Sequence, residues 1–353
     1  MPPAPHSQID ARAARAFSAL DPDRVLRTLD AIGLRGDGRL LQLNSYENRV
    51  FQVFLEDGDV VVAKFYRPSR WSDAQIIEEH QFSRELAADD VPVVAARTLT
   101  AAADERGLDL IGTPPTLARW RDDAALHRVA VSDRHAGRAP ELEDPAALQW
   151  LGRFLGRLHA VGARQPFVHR RTIDAATFGH AARRRLLDGG FVTDAERALW
   201  TGWCDAALAR VDRAFEQHAR TPRLRLHGDF HPGNIMWRDE GPHVVDLDDA
   251  CNGPAVQDLW MLLSGDAASM REQLAHILAG YRVFRAFDAS ELALIEPLRT
   301  LRMIHHSAWI AERWTDPAFP AAFPWYGSPA YWSQQAAQLR EQVEAMDEPP
   351  LVL

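Results

Sequence analysis

The sequence predicts an α+β chain of two lobes, a β-sheet lobe carrying one helix and then a larger, mainly helical lobe. Three observations lead there. Between Leu40 and Val131 the apolar residues fall mostly in short strand-like runs separated by turn residues. From Ala146 onward they recur at helical spacing. The chain is also 353 residues long, more than the roughly 250–300 at which a single core stops growing.

Residues 1–20 read as a loose start followed by a short helix. Asp21-Pro22-Asp23 supplies an N-cap with Pro at the first helical position, opening a helix that Gly33 ends. Leu40–Phe54 is strand-like, and a turn at Glu56-Asp57-Gly58 leads to a second strand, Asp59–Phe65, closing a hairpin. Arg67-Pro68 breaks the pattern, and Ser72 caps a helix from Ala74 to Ala88 whose apolar positions are Ile76, Ile77, Phe82 and Leu86. Val91–Thr100 and Arg128–Val131 read as further strands, separated by an irregular stretch at 101–125 marked by Gly112, Pro114 and Pro115. The polar stretch around Asp133–Asp144 is the expected hinge, at about 130–144, so the lobes are expected at 1–132 and 133–353. Helices follow at 146–160, 175–188, 194–218, 256–263 and 269–285, interrupted by a small hairpin of Ile235-Met236-Trp237 and His243–Leu247 around Asp239-Glu240-Gly241.

Composition narrows the function. With 46% apolar and 25% charged residues the chain matches soluble globular proteins. Its 40 basic against 49 acidic residues give a net charge of −9, which argues against a general electrostatic grip on nucleic acid. Two cysteines, Cys204 and Cys251, form neither a disulfide framework nor a metal-ligand pattern, which favours a reducing, cytoplasmic setting. No apolar run reaches the ~18 residues of a membrane span. Trp260, Trp309 and Trp314 are expected in the core, and adjacent His305-His306 point in different directions on a helix, which argues against a shared metal.

The sharpest segment runs His227-Gly228-Asp229-Phe230-His231-Pro232-Gly233-Asn234, followed by Val244-Val245-Asp246-Leu247-Asp248-Asp249. Phosphoryl transfer from ATP requires a carboxylate to orient the attacking hydroxyl and accept its proton, oxygen ligands for Mg²⁺, and a cation on the nucleotide phosphates. Asp229 with Asn234 five positions later has the spacing of a kinase catalytic loop, with Gly228 where protein kinases usually carry Arg. Asp229 is then the base, Asn234 a metal ligand, and Asp246, at a strand end, the second metal ligand. Taken singly, such residues beside Gly and Pro are ordinary turn formers; their order around one hairpin makes them specific.

The first half holds the complement. Val60-Val61-Val62-Ala63-Lys64-Phe65 is an apolar run with one Lys, suited to the α- and β-phosphates, and Glu78, Glu79 and Glu85 on the next helix are candidate partners for it. Leu43–Val50, where a G-x-G-x-x-G turn is expected, has no glycine; Ser45 is either a phosphate contact through its hydroxyl and N–H or part of an ordinary polar turn. The whole is a bilobal protein-kinase-like pattern.

At Asn44–Val50, Lys64-Phe65-Tyr66-Arg67-Pro68, Glu78–Phe82, His227-Gly228-Asp229, Asp246–Ala250, Asn252–Trp260 and Trp314–Pro320 the sequence resembles the stress response kinase A family of bacteria, within the aminoglycoside-phosphotransferase and choline-kinase-like group. The resemblance covers nearly the whole chain. It implies a cytoplasmic, stress-linked Ser/Thr protein kinase, able to autophosphorylate, with ATP as co-substrate. It further implies Asp229 as proton acceptor, Asn234 and Asp246 on Mg²⁺, Lys64 and Ser45 at ATP, and Glu79 as the partner of Lys64. The stretch at 101–125 is longer than that family leads one to expect.

Two alternatives share these residues. A small-molecule phosphotransferase acting on an aminoglycoside or choline-like alcohol has the same ATP chemistry, and Asp248, Asp249, Asp258, Glu312 and Asp316 are the acidic residues that would hold a polycation. A nucleotide-binding scaffold without catalysis is disfavoured because every reactive position is filled.

Overall fold

The computed structural model describes residues 17, 20–102, 107–121 and 126–352. The expected loose start and short helix at 1–20 lie almost entirely outside them. By its internal contacts the chain divides into two compact units, 1–138 with 236–248, and 139–235 with 249–353. The stretch 236–248 thus groups with the first half of the chain.

In the first unit, strands β1 (Gly36–Leu43), β2 (Arg49–Leu55), β3 (Val60–Phe65), β4 (Leu108–Gly112), β5 (Pro115–Arg121) and β6 (Leu126–Asp133) form one antiparallel sheet in the order β1-β2-β3-β6-β5-β4. Side chains alternate along β3: Val61, Ala63 and Phe65 enter a core with Phe51, Val53, Val129 and Val131, covered by Val25, Leu29 and Ile32 from and just beyond helix α1 (Pro22–Ala31). Lys64 is thereby on the other face. Helix α2 (Asp73–Ala88) starts at Ser72 with a reciprocal capping box, the Ser72 hydroxyl taking the Gln75 N–H while Gln75 takes the Ser72 N–H. Its Ile76 packs with Tyr66, Trp71, Leu117 and Ala130.

Two expectations change here. The stretch read as irregular at 101–125 contains β4 and β5, a hairpin turned at Thr113-Pro114, so prolines that look like loop markers instead mark the turn between the edge strand β4 and its neighbour β5. Val91–Thr100 is not a sheet strand. Its Pro92 carbonyl and Val94 N–H bond to Val244 of the hairpin β8 (Ile235–Arg238) and β9 (Gly241–Val244), and Ala96 bridges Ser132, so its extended backbone is satisfied singly.

The second unit is mainly helical: α3 (Pro145–Gly162), α4 (Ala181–Asp188), α5 (Asp194–Gln217), α6 (Val256–Trp260), α7 (Ala267–Tyr281), α8 (Ile295–Glu312), α9 (Ala318–Ala322) and α10 (Pro329–Asp347), with the short pair β7 (Leu224–Leu226) and β10 (Cys251–Gly253). The expected 175–188 helix is a π-helical turn, Ala175–His180, running into α4. Helices α3 and α7 approach through glycine: a methyl group at Gly152 would fall 1.9 Å from the Ile277 carbonyl oxygen, and one at Gly280 2.0 Å from that of Gln149. Trp260 is buried, and Trp309 and Trp314 pack among aromatic rings. Cys204 and Cys251 are buried free thiols; burial pushes Cys204 up to about 12 and Cys251 still higher. Among the described residues no helix is long and apolar enough to cross a membrane.

Candidate active site

In the first unit the charged residues gather where β3, the turn between β1 and β2, and the end of the β8–β9 hairpin meet. Lys64 Nζ lies 3.1 Å from Asp246 Oδ1 and 3.5 Å from Asp248 Oδ1. Burial disfavours the ammonium, but Asp248 and then Asp246 outweigh it and hold Lys64 well above its usual range, so the cation is permanent. Glu79, buried on α2 and 3.6 Å from His80 Nε2, adds to the negative surroundings of Lys64. Asp246 has φ of 62°, a left-handed conformation that Asp tolerates better than most residues. Its carboxylate is half exposed, an oxygen donor of the kind hard Mg²⁺ prefers.

Asp248 is its opposite: buried, and held by Arg70 Nη1 at 2.7 Å, Asn48 Nδ2 at 2.9 Å and Lys64. Through Asn48 this cage reaches the glycine-free turn. There the Ser45 hydroxyl accepts the Asn48 N–H at 3.2 Å, Asn48 Oδ1 accepts the Arg67 N–H, and the Arg67 guanidinium donates to the carbonyls of Tyr46 and Glu47. A turn that glycines would shape by their freedom is shaped here by side-chain hydrogen bonds.

In the second unit the loop after β7 is held from below. Asp258, fully buried on α6, accepts the N–H of His227 at 2.9 Å and of Gly228 at 2.8 Å, and is itself 3.1 Å from His159 Nε2, whose Nδ1 faces the Tyr281 hydroxyl. Gly228 has φ of +84°, and a methyl group there would sit 2.3 Å from the Asp249 carbonyl oxygen, so arginine has no room at this position. Phe230 is buried against Phe154, which leaves Asp229 at the partly exposed turn.

Around Asp229 the loop closes on itself. Asn234 Nδ2 donates to the Asp229 carbonyl at 3.0 Å, which commits the amide nitrogen and makes Oδ1 the atom suited to a cation. His231 Nδ1 accepts the Gly233 N–H, so the other ring nitrogen, 3.4 Å from Asp229 Oδ2, is the one that turns toward the carboxylate. Asp229 Oδ1 is 2.5 Å from Arg302 Nη1 of α8. Burial raises the carboxyl, but His231 and Arg302 overcome it and hold Asp229 far below the usual carboxylate range, so it is ionised at neutral pH.

Of the residues expected from the sequence, Ser45, Lys64, Glu79 and Asp246 lie in the first unit, and Asp229 and Asn234 in the second. Asn48, Arg70 and Arg302 join them only in the fold. Asn48 lies within the Asn44–Val50 motif, but a helix arginine such as Arg302 carries no local signal. Of the acidic residues offered for a polycation, Asp258 is buried on backbone N–H groups, Asp248 is caged, Asp249 pairs with Arg171 at 3.5 Å, Glu312 pairs with Arg185 and Arg313, and Asp316 is buried and caps Ala318.

Residues 39–295 match the Phosphotransferase enzyme family. The chain is 42% identical over 341 residues to stress response kinase A of Escherichia coli strain K12, covering 97% of this chain and 98% of that protein. It is 41% identical over 340 residues to the serine/threonine protein kinase RdoA of Salmonella typhimurium, covering 96% and 98%. Among solved structures, a microcompartment-associated aminopropanol kinase aligns with a TM-score of 0.68 at 19% identity, covering 92% of this chain and 98% of that one. Amicoumacin kinase hAmiN, in complex with AMP-PNP, Ca²⁺ and Ami, aligns with a TM-score of 0.67 at 18% identity, covering 98% and 97%.

Proposed function

Because the chain belongs to the phosphotransferase enzyme family of kinases, we propose that it is an ATP- and Mg²⁺-dependent serine/threonine protein kinase of the bacterial stress response, cytoplasmic and able to phosphorylate itself. The observation that carries the reading is the closed loop of Asp229 and Asn234, with the amide nitrogen committed to the Asp229 carbonyl and the loop backbone fixed by Asp258.

Each residue then has a task. The Asp229 carboxylate orients the acceptor hydroxyl and takes its proton as the oxygen bonds to the γ-phosphorus and the bond to the bridging oxygen breaks, releasing ADP. A carboxylate with depressed proton affinity is a weak base, so its main contribution is orientation, in keeping with a loose transition state that asks little of the base. Lys64, permanently charged, binds nucleotide phosphate, and Ser45 offers its hydroxyl and N–H to the same group. Glu79 keeps Lys64 in a negative setting. Asn234 and Asp246 supply an amide and a carboxylate oxygen, a donor set that fits Mg²⁺. When bound, the ion neutralises the negative charge of the phosphates.

A protein acceptor is favoured over an aminoglycoside because the acidic residues that a polycation would need are buried or paired with arginines. The name of the Salmonella relative points the same way. The test is transfer of labelled γ-phosphate from ATP, with and without Mg²⁺, to generic protein acceptors beside a panel of polyols, choline and aminoglycosides. Mg²⁺-dependent label on Ser or Thr, including the chain's own, is expected; label only on a small alcohol would overturn the protein-kinase reading.

A further inference from the structure

Asp229 Oδ1 is occupied by a cation that the catalytic scheme does not use. Arg302 reaches it from α8, and its own side chain is 43% exposed while that of Asp229 is 23% exposed. The contact takes up the Asp229 oxygen that has to face an acceptor hydroxyl, so it has to open before Asp229 can engage a substrate. The Arg302 side of the pair is open to solvent, so the guanidinium can turn away from Asp229 without leaving water.

The surroundings say what the arginine is free to exchange for. Arg302 presents a planar fork of donors that matches a carboxylate or phosphate. Other carboxylates of this unit are engaged: Asp258 with backbone N–H groups, Asp249 with Arg171, and Glu312 with Arg185 and Arg313. His305, held down to about 3 by burial and by Arg171, is neutral. An anion carried by a substrate fits that fork of donors.

We propose that Arg302 is a specificity-determining gate, paired with Asp229 until an acceptor brings a carboxylate or phosphate beside its hydroxyl, so that the preferred substrate is a Ser or Thr flanked by acidic residues. The inference rests on the reading of Asp229 as the proton acceptor. Binding of such a substrate draws the guanidinium from Asp229 to the substrate anion and frees the carboxylate for the hydroxyl. A basic flank does the reverse, since it leaves Arg302 on Asp229 and adds repulsion.

The test compares Ser peptides with acidic, neutral or basic flanks, together with a hydroxy acid and an amino alcohol, as acceptors for wild type, Arg302→Ala and Arg302→Glu. Wild type is expected to favour the acidic flank by about 10-fold or more in kcat/KM, the worth of one exchanged charge contact. Arg302→Ala should flatten the preference mainly through KM for acidic peptides, and Arg302→Glu should invert it toward basic flanks. A gain of this kind cannot come from misfolding. Equal use of all flanks by wild type, or a preference unchanged in both variants, overturns the gate. Transfer to the hydroxy acid but to no peptide, lost in Arg302→Glu, supports the gate and overturns the protein-kinase reading. Transfer to no acceptor overturns both.

Discussion

Two aspartates, one in each unit, are held by cations in opposite ways. Asp248 is buried and caged by Arg70, Asn48 and Lys64, partners drawn from a turn, a strand and the segment after it, so its position is fixed by the fold. Asp229 is partly exposed and held by a single accessible arginine of a helix, beside a histidine. The first arrangement is costly to disturb and suits a fixture; the second is cheap to rearrange and suits a residue that meets a substrate. Burial decides the difference, because charges in a low dielectric lose far more when a partner is removed than charges at the surface do.

The sharpest break of that contrast is Asp229→Asn. An amide keeps the size of the side chain but accepts no proton, so kcat should fall about 10³-fold, within the ordinary span of general-base contributions. Nucleotide affinity, measured by titration with a non-hydrolysable ATP analogue and Mg²⁺, should stay within about twofold, because the residues assigned to the nucleotide are others. Unchanged turnover would remove Asp229 as the base.

The next test asks whether Asp248 is the fixture. Asp248→Ala removes the buried carboxylate that Arg70, Asn48 and Lys64 share, leaving Arg70 only the longer contact to Glu47 at 3.4 Å, and should lower the unfolding free energy by about 3 kcal/mol, read from denaturant unfolding. Arg302→Ala, at an exposed pair, should cost no more than about 1 kcal/mol in the same measurement. Equal costs for Asp248→Ala and Arg302→Ala would erase the distinction between fixture and gate.

The sequence made some of this legible. The hairpin strands, the helix capped at Ser72 and the kinase-like spacing of Asp229, Asn234 and Asp246 follow from local pattern, and local pattern is what residues close in sequence determine. What stayed hidden depends on contacts between distant positions. Arg302 meets Asp229 across 73 positions and Arg70 meets Asp248 across 178. The β4–β5 hairpin is hidden for another reason: its prolines carry the signal of a loop, and only pairing across the sheet shows that they turn one strand into the next. The Asp258 clamp was visible as a motif residue, but an acidic side chain does not announce that it binds backbone N–H groups rather than solvent or substrate.

The smallest effect sharpens the comparison from the underside of the loop that carries Asp229. Glu291 is buried and accepts the Val256 N–H at 3.0 Å, at the start of the helix that carries Asp258. Burial raises its carboxyl from 4.5 to about 7. Between those values the folded chain binds the proton that the unfolded chain has released. Stability contributed by Glu291 is therefore fully present below about pH 4.5 and declines as pH rises through 7. Glu291→Gln, which remains neutral, should remove that decline and make the variant relatively more stable at pH 8 than at pH 5.5, by about 2 kcal/mol in the difference from wild type. Thermal unfolding of both proteins at the two pH values measures it. A wild type and variant whose melting temperatures change in parallel would mean that Glu291 is ionised in the folded chain throughout this range.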